Sequence, residues 1–177
     1  MFKYATRLPP GNGLKLISDT VVRKNASFSR IEAIDFIERL ANHLISNPNS
    51  TIVPIYRFKR LGRVGGSYQY HYDMMRMGIL SVNEKQVIDD LCRNYYNYGS
   101  ITLVLKKNPS YNKDYKELVS FMSKTFKDKR YIDLHSGNFM KDMDDNYRII
   151  DIEGFYSYTH PLLTDPVYKW FTKGKKK

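Results

Sequence analysis

The sequence predicts an α+β domain in which a small antiparallel sheet precedes a mainly helical half, and three observations predict it. Short β-branched and aromatic runs broken by glycine turns fill residues 1–24 and 51–75. An apolar period of 3.6 residues runs through 29–46, 82–96 and 111–126. Two further short apolar runs, Phe139-Met140 and Ile149-Ile150, flank the turn-forming cluster Asp142-Met-Asp-Asp-Asn146. With 177 residues the chain can bury a real core, roughly 70% of its unfolded surface, and one compact unit of two lobes is expected.

The elements follow in order. Phe2 to Leu8, Leu14 to Ile17 and Thr20 to Lys24 read as short strands around the turn Pro9-Pro-Gly-Asn-Gly13, where Gly11 and Gly13 allow tight backbone conformations and close approach of a ligand. Residues 29–46 read as a helix, with Ser29 and Glu32 spaced as a capping box and Ile31, Ile34, Ile37, Ala41, Leu44 and Ile45 as its apolar stripe. Glu38 borders that stripe, and a carboxylate facing inward needs a cation. Thr51 to Lys59 and Ser67 to Met75 read as strands joined by the loop 60–66. Val82 to Tyr96 and Tyr111 to Phe126 read as helices, and Gly99 to Leu105 is ambiguous between strand and helix.

Composition excludes several classes. A hydrophobic share of 42% with 15 Tyr and 9 Phe argues against disorder, and no run approaches the ~18–20 apolar residues of a membrane span. Met1 to Arg7 lack the apolar stretch of a signal peptide. The single Cys92 permits no internal disulfide and fits a reducing cytoplasm, with the thiol read as a small core residue. A formal net charge of +11 implies attraction to polyanions, whether nucleic acid, an acidic protein or nucleotide phosphates. Its local densities, 57–63 and 173–177, equally suit a solvated face and a frayed end.

Residues 131–154 concentrate the polar residues between the two apolar runs of a predicted hairpin. Asp133, His135 and Asn138 precede its first strand and Asp151 follows its second, so antiparallel pairing brings Asn138 and Asp151 together. Two such oxygen ligands suit a hard cation such as Mg²⁺, which completes its shell with water and substrate phosphates. A lone loop histidine such as His135 is more often a structural hydrogen-bonding residue than a ligand.

Asp133-Leu134-His135-Ser136-Gly137-Asn138 resembles the loop of the protein-kinase-like fold, closest to its aminoglycoside-phosphotransferase-like branch. The kinase pattern sets the catalytic Asp five residues before the metal-binding Asn, the spacing of Asp133 and Asn138. Ile150-Asp151-Ile152-Glu153 is similar to that branch's Ile-Asp-Trp-Glu, while Tyr131-Ile132 depart from its His-Gly. The resemblance implies a bilobal kinase-like architecture: residues 1–78 an N-lobe of small antiparallel sheet and one helix, 79–177 a reduced, mainly helical C-lobe. It implies ATP and Mg²⁺ as cofactors, Asp133 and Lys24 as catalytic residues, and Asn138 and Asp151 as metal ligands. Val21-Val22-Arg23-Lys24 resembles the strand whose Lys contacts the α- and β-phosphates, and the resemblance implies that Glu38 braces Lys24. Gly11 and Gly13 would cover the phosphates, and the backbone of Asp73 and Met75 in Tyr72-Asp-Met-Met-Arg-Met-Gly78 would hold adenine as a hinge. With 23 residues after Gly154, the helices that complete an ordinary kinase C-lobe are not expected.

The function expected is transfer of the γ-phosphoryl group of ATP to a hydroxyl on a protein or small molecule, in the cytoplasm and away from membranes. The alternative is a kinase-like fold without catalysis, a basic module binding nucleic acid or an acidic protein. A third reading, without kinase kinship, makes 131–154 an ordinary hairpin with acidic ends.

Overall fold

The structure, a computed structural model, describes residues 13–128 and 131–156. The predicted strand Phe2–Leu8, Gly11 and the basic run 173–177 lie outside the described residues.

The fold is mixed α+β, with one four-stranded antiparallel sheet and one two-stranded sheet. Strands β1 (Leu14–Leu16), β2 (Val21–Phe28), β3 (Ile55–Val64) and β4 (Ser67–Met75) form the larger sheet in the order β1-β2-β4-β3. β4 is therefore central, paired with β2 along its whole length and with β3 on its other side. Its alternation explains this placement. Tyr70, Tyr72 and Met74 point to one face and are buried there, among Val22 of β2 and Ile55 of β3. The loop expected at 60–66 is shorter than predicted. β3 continues to Val64, and Gly65-Gly66, both at positive φ, make a two-residue hairpin turn.

Helix α1 (Ile31–Ser46) packs on the tyrosine-bearing face through Ala33, Ile34, Phe36, Ile37, Leu40, Ala41 and Leu44. The capping box expected from Ser29 and Glu32 does not form: Arg30 occupies the N-cap with no side-chain cap bond, one residue later than the spacing implied. A real box closes α2 (Val82–Tyr98), where the Ser81 hydroxyl accepts from the Glu84 N–H and the Glu84 carboxylate accepts from the Ser81 N–H at 2.8 Å. The ambiguous stretch after Gly99 is helical, as α3 (Thr102–Lys107). The helix expected over 111–126 is two, α4 (Pro109–Asp114) and α5 (Lys116–Asp128), because Tyr115 leaves helical geometry at φ −127° and ψ 34°.

The predicted hairpin forms as β5 (Phe139–Lys141) and β6 (Tyr147–Ile149). It is docked from two sides. The Val53 N–H donates to the Ile149 carbonyl at 2.9 Å and the Ile149 N–H to the Thr51 carbonyl at 2.8 Å, while Gly78 and Lys141 exchange both main-chain bonds. Asp142 closes the turn, accepting from the N–H groups of Asp144 and Asn146 and pairing with Arg148 at 2.7 Å. Among the described residues, no helix is long and apolar enough to cross a membrane.

Glu84 carries the hairpin's third attachment. Beyond its capping role it accepts from Tyr147 Oη at 2.8 Å and pairs with Lys141 at 2.6 Å, so one carboxylate joins the start of α2 to both strands of the hairpin. Burial alone would raise its pKa, yet Lys141, the Ser81 N–H and Tyr147 outweigh burial and hold it at about 2. A carboxylate depressed in the fold contributes stability that is complete above its unfolded pKa and is lost as pH falls through its folded one. Glu84→Gln is therefore expected to lose about 1–3 kcal/mol at neutral pH. Its deficit in melting temperature against wild type should shrink as pH falls from about 4.5 towards 2; a constant deficit across that window contradicts the assignment.

Candidate functional site

Lys24 sits on β2 with its side chain on the face that carries Tyr70 and Tyr72, because Lys24 and Tyr72 are direct cross-strand partners. There its Nζ lies 2.8 Å from Asp151 Oδ2 and 3.0 Å from Glu153 Oε2, with all three side chains less than a fifth exposed. The Glu153 carboxylate also accepts from Tyr70 Oη at 2.7 Å and Tyr72 Oη at 3.0 Å. Asp151 caps the 3₁₀ turn Ile152–Phe155, taking the Glu153 N–H at 3.0 Å on Oδ1. One short segment after β6 thus presents two carboxylates to one cation of the sheet, 127 and 129 residues away in sequence.

The electrostatics follow from this crowding. Burial works to lower the pKa of Lys24, and Glu153 and Asp151 more than offset it, so the ammonium is retained. Burial likewise works against the Asp151 carboxylate, but its hydrogen bonds and Lys24 leave its pKa lowered. Glu153 goes the other way. Desolvation, with Asp151 alongside, pushes its carboxyl up despite Lys24 and Tyr70. Buried Tyr72 stays a neutral donor, its pKa raised by desolvation and then by Glu153.

The second half of the site is the loop 131–138. Asn138, buried, donates Nδ2 to the Asp133 carbonyl at 2.9 Å and to Asp133 Oδ2 at 2.8 Å, and its own carbonyl accepts from the Ile150 N–H at 3.0 Å. A continuous chain of contacts therefore runs from Asp133 through Asn138 and Ile150 to Asp151 and Lys24. Asp133 itself is half exposed. His135 accepts from the Gly137 N–H on Nδ1 at 3.2 Å, which leaves its proton on Nε2, 3.5 Å from Asp133 Oδ2. The loop hangs from α2. Asp89 accepts the Ser136 N–H and hydroxyl, both at 2.9 Å, and Tyr96 Oη donates to the Ile132 carbonyl at 2.8 Å while accepting the Leu134 N–H at 3.0 Å.

The expected metal pair fits the chemistry of a hard cation. Both Asn138 Nδ2 bonds are to Asp133, so Oδ1 is the acceptor this side chain offers, and its main-chain carbonyl holds Ile150, the residue before Asp151. Among the described residues no group of three or more His, Cys, Asp or Glu is placed to hold a metal. A cation between Asn138 and Asp151 would draw its remaining ligands from water and phosphate, as Mg²⁺ does.

Two expectations are corrected. Glu38 does not brace Lys24: it pairs with Arg60 of β3, which also reaches Asp35 at 2.6 Å, because its position on α1 faces the β3 edge. The bracing carboxylate is Glu153. The backbone of Asp73 and Met75 is not a free hinge, since both lie in central β4: Asp73 is paired in register with Arg23 and Arg57, and the Met75 N–H donates to the Pro54 carbonyl at 2.9 Å. The Asp73 carboxylate grips Arg23 at 2.7 and 2.9 Å. Gly13 is needed by the sheet itself, because a Cβ there would sit 2.5 Å from the Asn25 carbonyl oxygen; Gly11 lies outside the described residues.

Tyr70, Tyr72, Glu153, Asp89 and Tyr96 are site residues that sequence reasoning missed. The signal for Glu153 was present in Asp151-Ile152-Glu153, two acids on either side of a buried Ile. For the tyrosines it was the period of two in Tyr68-Gln-Tyr-His-Tyr72.

Tyr131 ties the two halves together. Its ring packs on Phe155 at 5.0 Å and Phe139 at 6.1 Å and crosses the backbone of Gly154, whose carbonyl accepts the Ile132 N–H at 2.9 Å. No family model, curated protein or solved structure matches this chain.

A Cβ on Gly154 would lie 2.4–2.9 Å from two Tyr131 ring carbons and its hydroxyl oxygen. Gly154→Ala is therefore expected to cost about 2 kcal/mol of overpacking, read as a fall of roughly 4–8 °C in melting temperature. An unchanged melting curve would show that ring and backbone are not in contact.

Proposed function

We propose that this chain transfers the γ-phosphoryl group of ATP to a hydroxyl on a protein or small-molecule acceptor, as a bilobal kinase-like enzyme working in the cytoplasm. The observation that carries the reading is Lys24 held 2.8 Å from Asp151 while Asn138, hydrogen-bonded to Ile150, grips Asp133. A phosphate cation, a metal carboxylate, a metal amide and an exposed carboxylate are thereby linked in one site. The strand order β1-β2-β4-β3, with the Lys on a strand beside the centre and the helix on its inner face, supports the same reading.

Phosphoryl transfer asks little covalent chemistry of a protein. It needs charge on the transferring group offset and the acceptor oxygen held in line. Lys24 supplies a desolvated ammonium for the α- and β-phosphates, oriented by Glu153 and the tyrosines behind it. Asn138 and Asp151 would hold Mg²⁺, which when bound neutralises charge on the β- and γ-phosphate oxygens. Asp133, half exposed and fixed by Asn138, orients the acceptor hydroxyl and accepts its proton.

Incubation with γ-labelled ATP, Mg²⁺ and a cell lysate tests the proposal. Label transfer is expected from wild type and its loss from Asp133→Asn and Asp151→Asn; transfer that both substitutions leave unchanged defeats it. A second comparison tests the exchanged brace. Glu153→Gln should reduce turnover by about 10²-fold through misplacement of Lys24, whereas Glu38→Gln should stay within about twofold of wild type, since an exposed ion pair is worth little. The reverse order would return the brace to α1.

A further inference from the structure

We infer that the outer face of the four-stranded sheet, opposite α1 and away from Lys24, binds the phosphate backbone of single-stranded nucleic acid. The register builds this face. Lys15, Arg23, Asp73 and Arg57 are direct partners across all four strands, and Asn25, His71 and Lys59 form the next row. Strand residues one position away, Lys24, Tyr72 and Phe58, point to the opposite face. Arg60, on that opposite face, joins α1 through Asp35, so the helix leaves the outer rows uncovered.

Charge on the face is unbalanced. Asp73 is consumed by its two-point pairing with Arg23. Lys15, Arg57 and Lys59 are exposed, and among the described residues none of them forms an ion pair, although Arg57 stands across from Asp73. Three strand spacings, about 14 Å, separate the β1 and β3 cations. One phosphate cannot bridge that distance, but successive phosphates of one strand can.

A second, independent observation points to a ligand in the same place. His71, between Asn25 and Lys59 in register, is only 7% exposed, yet its Nε2 has no hydrogen-bond partner among the described residues. A buried polar atom without a partner costs free energy; a phosphate oxygen held by Lys59 and Arg57 would satisfy it. Burial and then the Arg23 cation lower the His71 pKa, so at neutral pH the ring serves as a hydrogen-bond donor and not as a charge. Tyr56, the extra residue of the bulge between Ile55 and Arg57, precedes Arg57 in the chain, is 48% exposed and offers a ring on which a base can stack. That ring favours nucleic acid over a simple polyphosphate.

The test is fluorescence anisotropy of a labelled oligothymidine of roughly 20 nucleotides, titrated with the full chain at about 50 and 200 mM salt. Binding that weakens with salt is expected, and Arg57→Glu with Lys59→Glu should weaken it at least ~10-fold and flatten the salt slope by about 1.4. Lys15→Glu, on another strand, should weaken it separately, while Lys113→Glu on α4 should not. Charge reversals that leave affinity within about twofold of wild type overturn the inference. So does tripolyphosphate displacing the strand at equal phosphate concentration, which would make the face a generic anion surface. Neither result bears on phosphoryl transfer, since no residue of this face belongs to that site.

Discussion

The architecture turns on one buried cation. An ammonium taken out of water needs its charge matched nearby, and the effective penalty for leaving it unmatched is several kcal/mol. Among the described residues, Lys24 finds its match more than 120 positions later, in Asp151 and Glu153. Much else can be understood as holding that segment in reach: the main-chain clasp of Gly78 on Lys141, the bonds of Ile149 to residues 51 and 53, and the Tyr131 ring laid over Gly154. Three donors, Lys24, Tyr70 and Tyr72, converge on Glu153, so a carboxylate that burial disfavours is specified by direction as well as charge.

Helix α2 acts as the rule against which the loop 131–138 is set. Asp89 and Tyr96 stand about two turns apart on it, and they take up main-chain groups of Ser136 at one end of the loop and of Ile132 and Leu134 at the other. A loop fixed at both ends by side chains of one helix cannot drift relative to that helix. Asp133, though exposed, therefore projects from a backbone whose polar groups are largely assigned.

The sequence made the fold legible where period and turn chemistry agree. β4 spans the residues its alternation implied, the hairpin forms around the Asp142–Asn146 cluster, and α2 starts at Val82. The errors share a cause, which is that local pattern does not choose between nearby partners. Glu38 borders an apolar stripe, but which cation it meets depends on where β3 passes, and β3 brings Arg60. Asp73 and Met75 end an apolar strand, but whether their main-chain groups are free depends on strand order, which puts β4 in the centre. For Asp133 and Asn138, spacing along the chain was enough to bring them together, and local hairpin pairing then sets Asn138 against Ile150. The Lys24–Glu153 contact is not local, and no spacing rule reaches it.

The lateral position of β3 has a consequence for how the protein behaves in concentrated solution. Among the described residues β3 pairs with β4 alone, and its other side there offers main-chain groups to which a second molecule could add a strand. Arg57, Lys59, Arg60 and Arg63 stand along this strand, and like charges on two such edges repel before backbones can meet. The same side chains thus guard against self-association: a variant stripped of them loses a solubility device along with a cationic face.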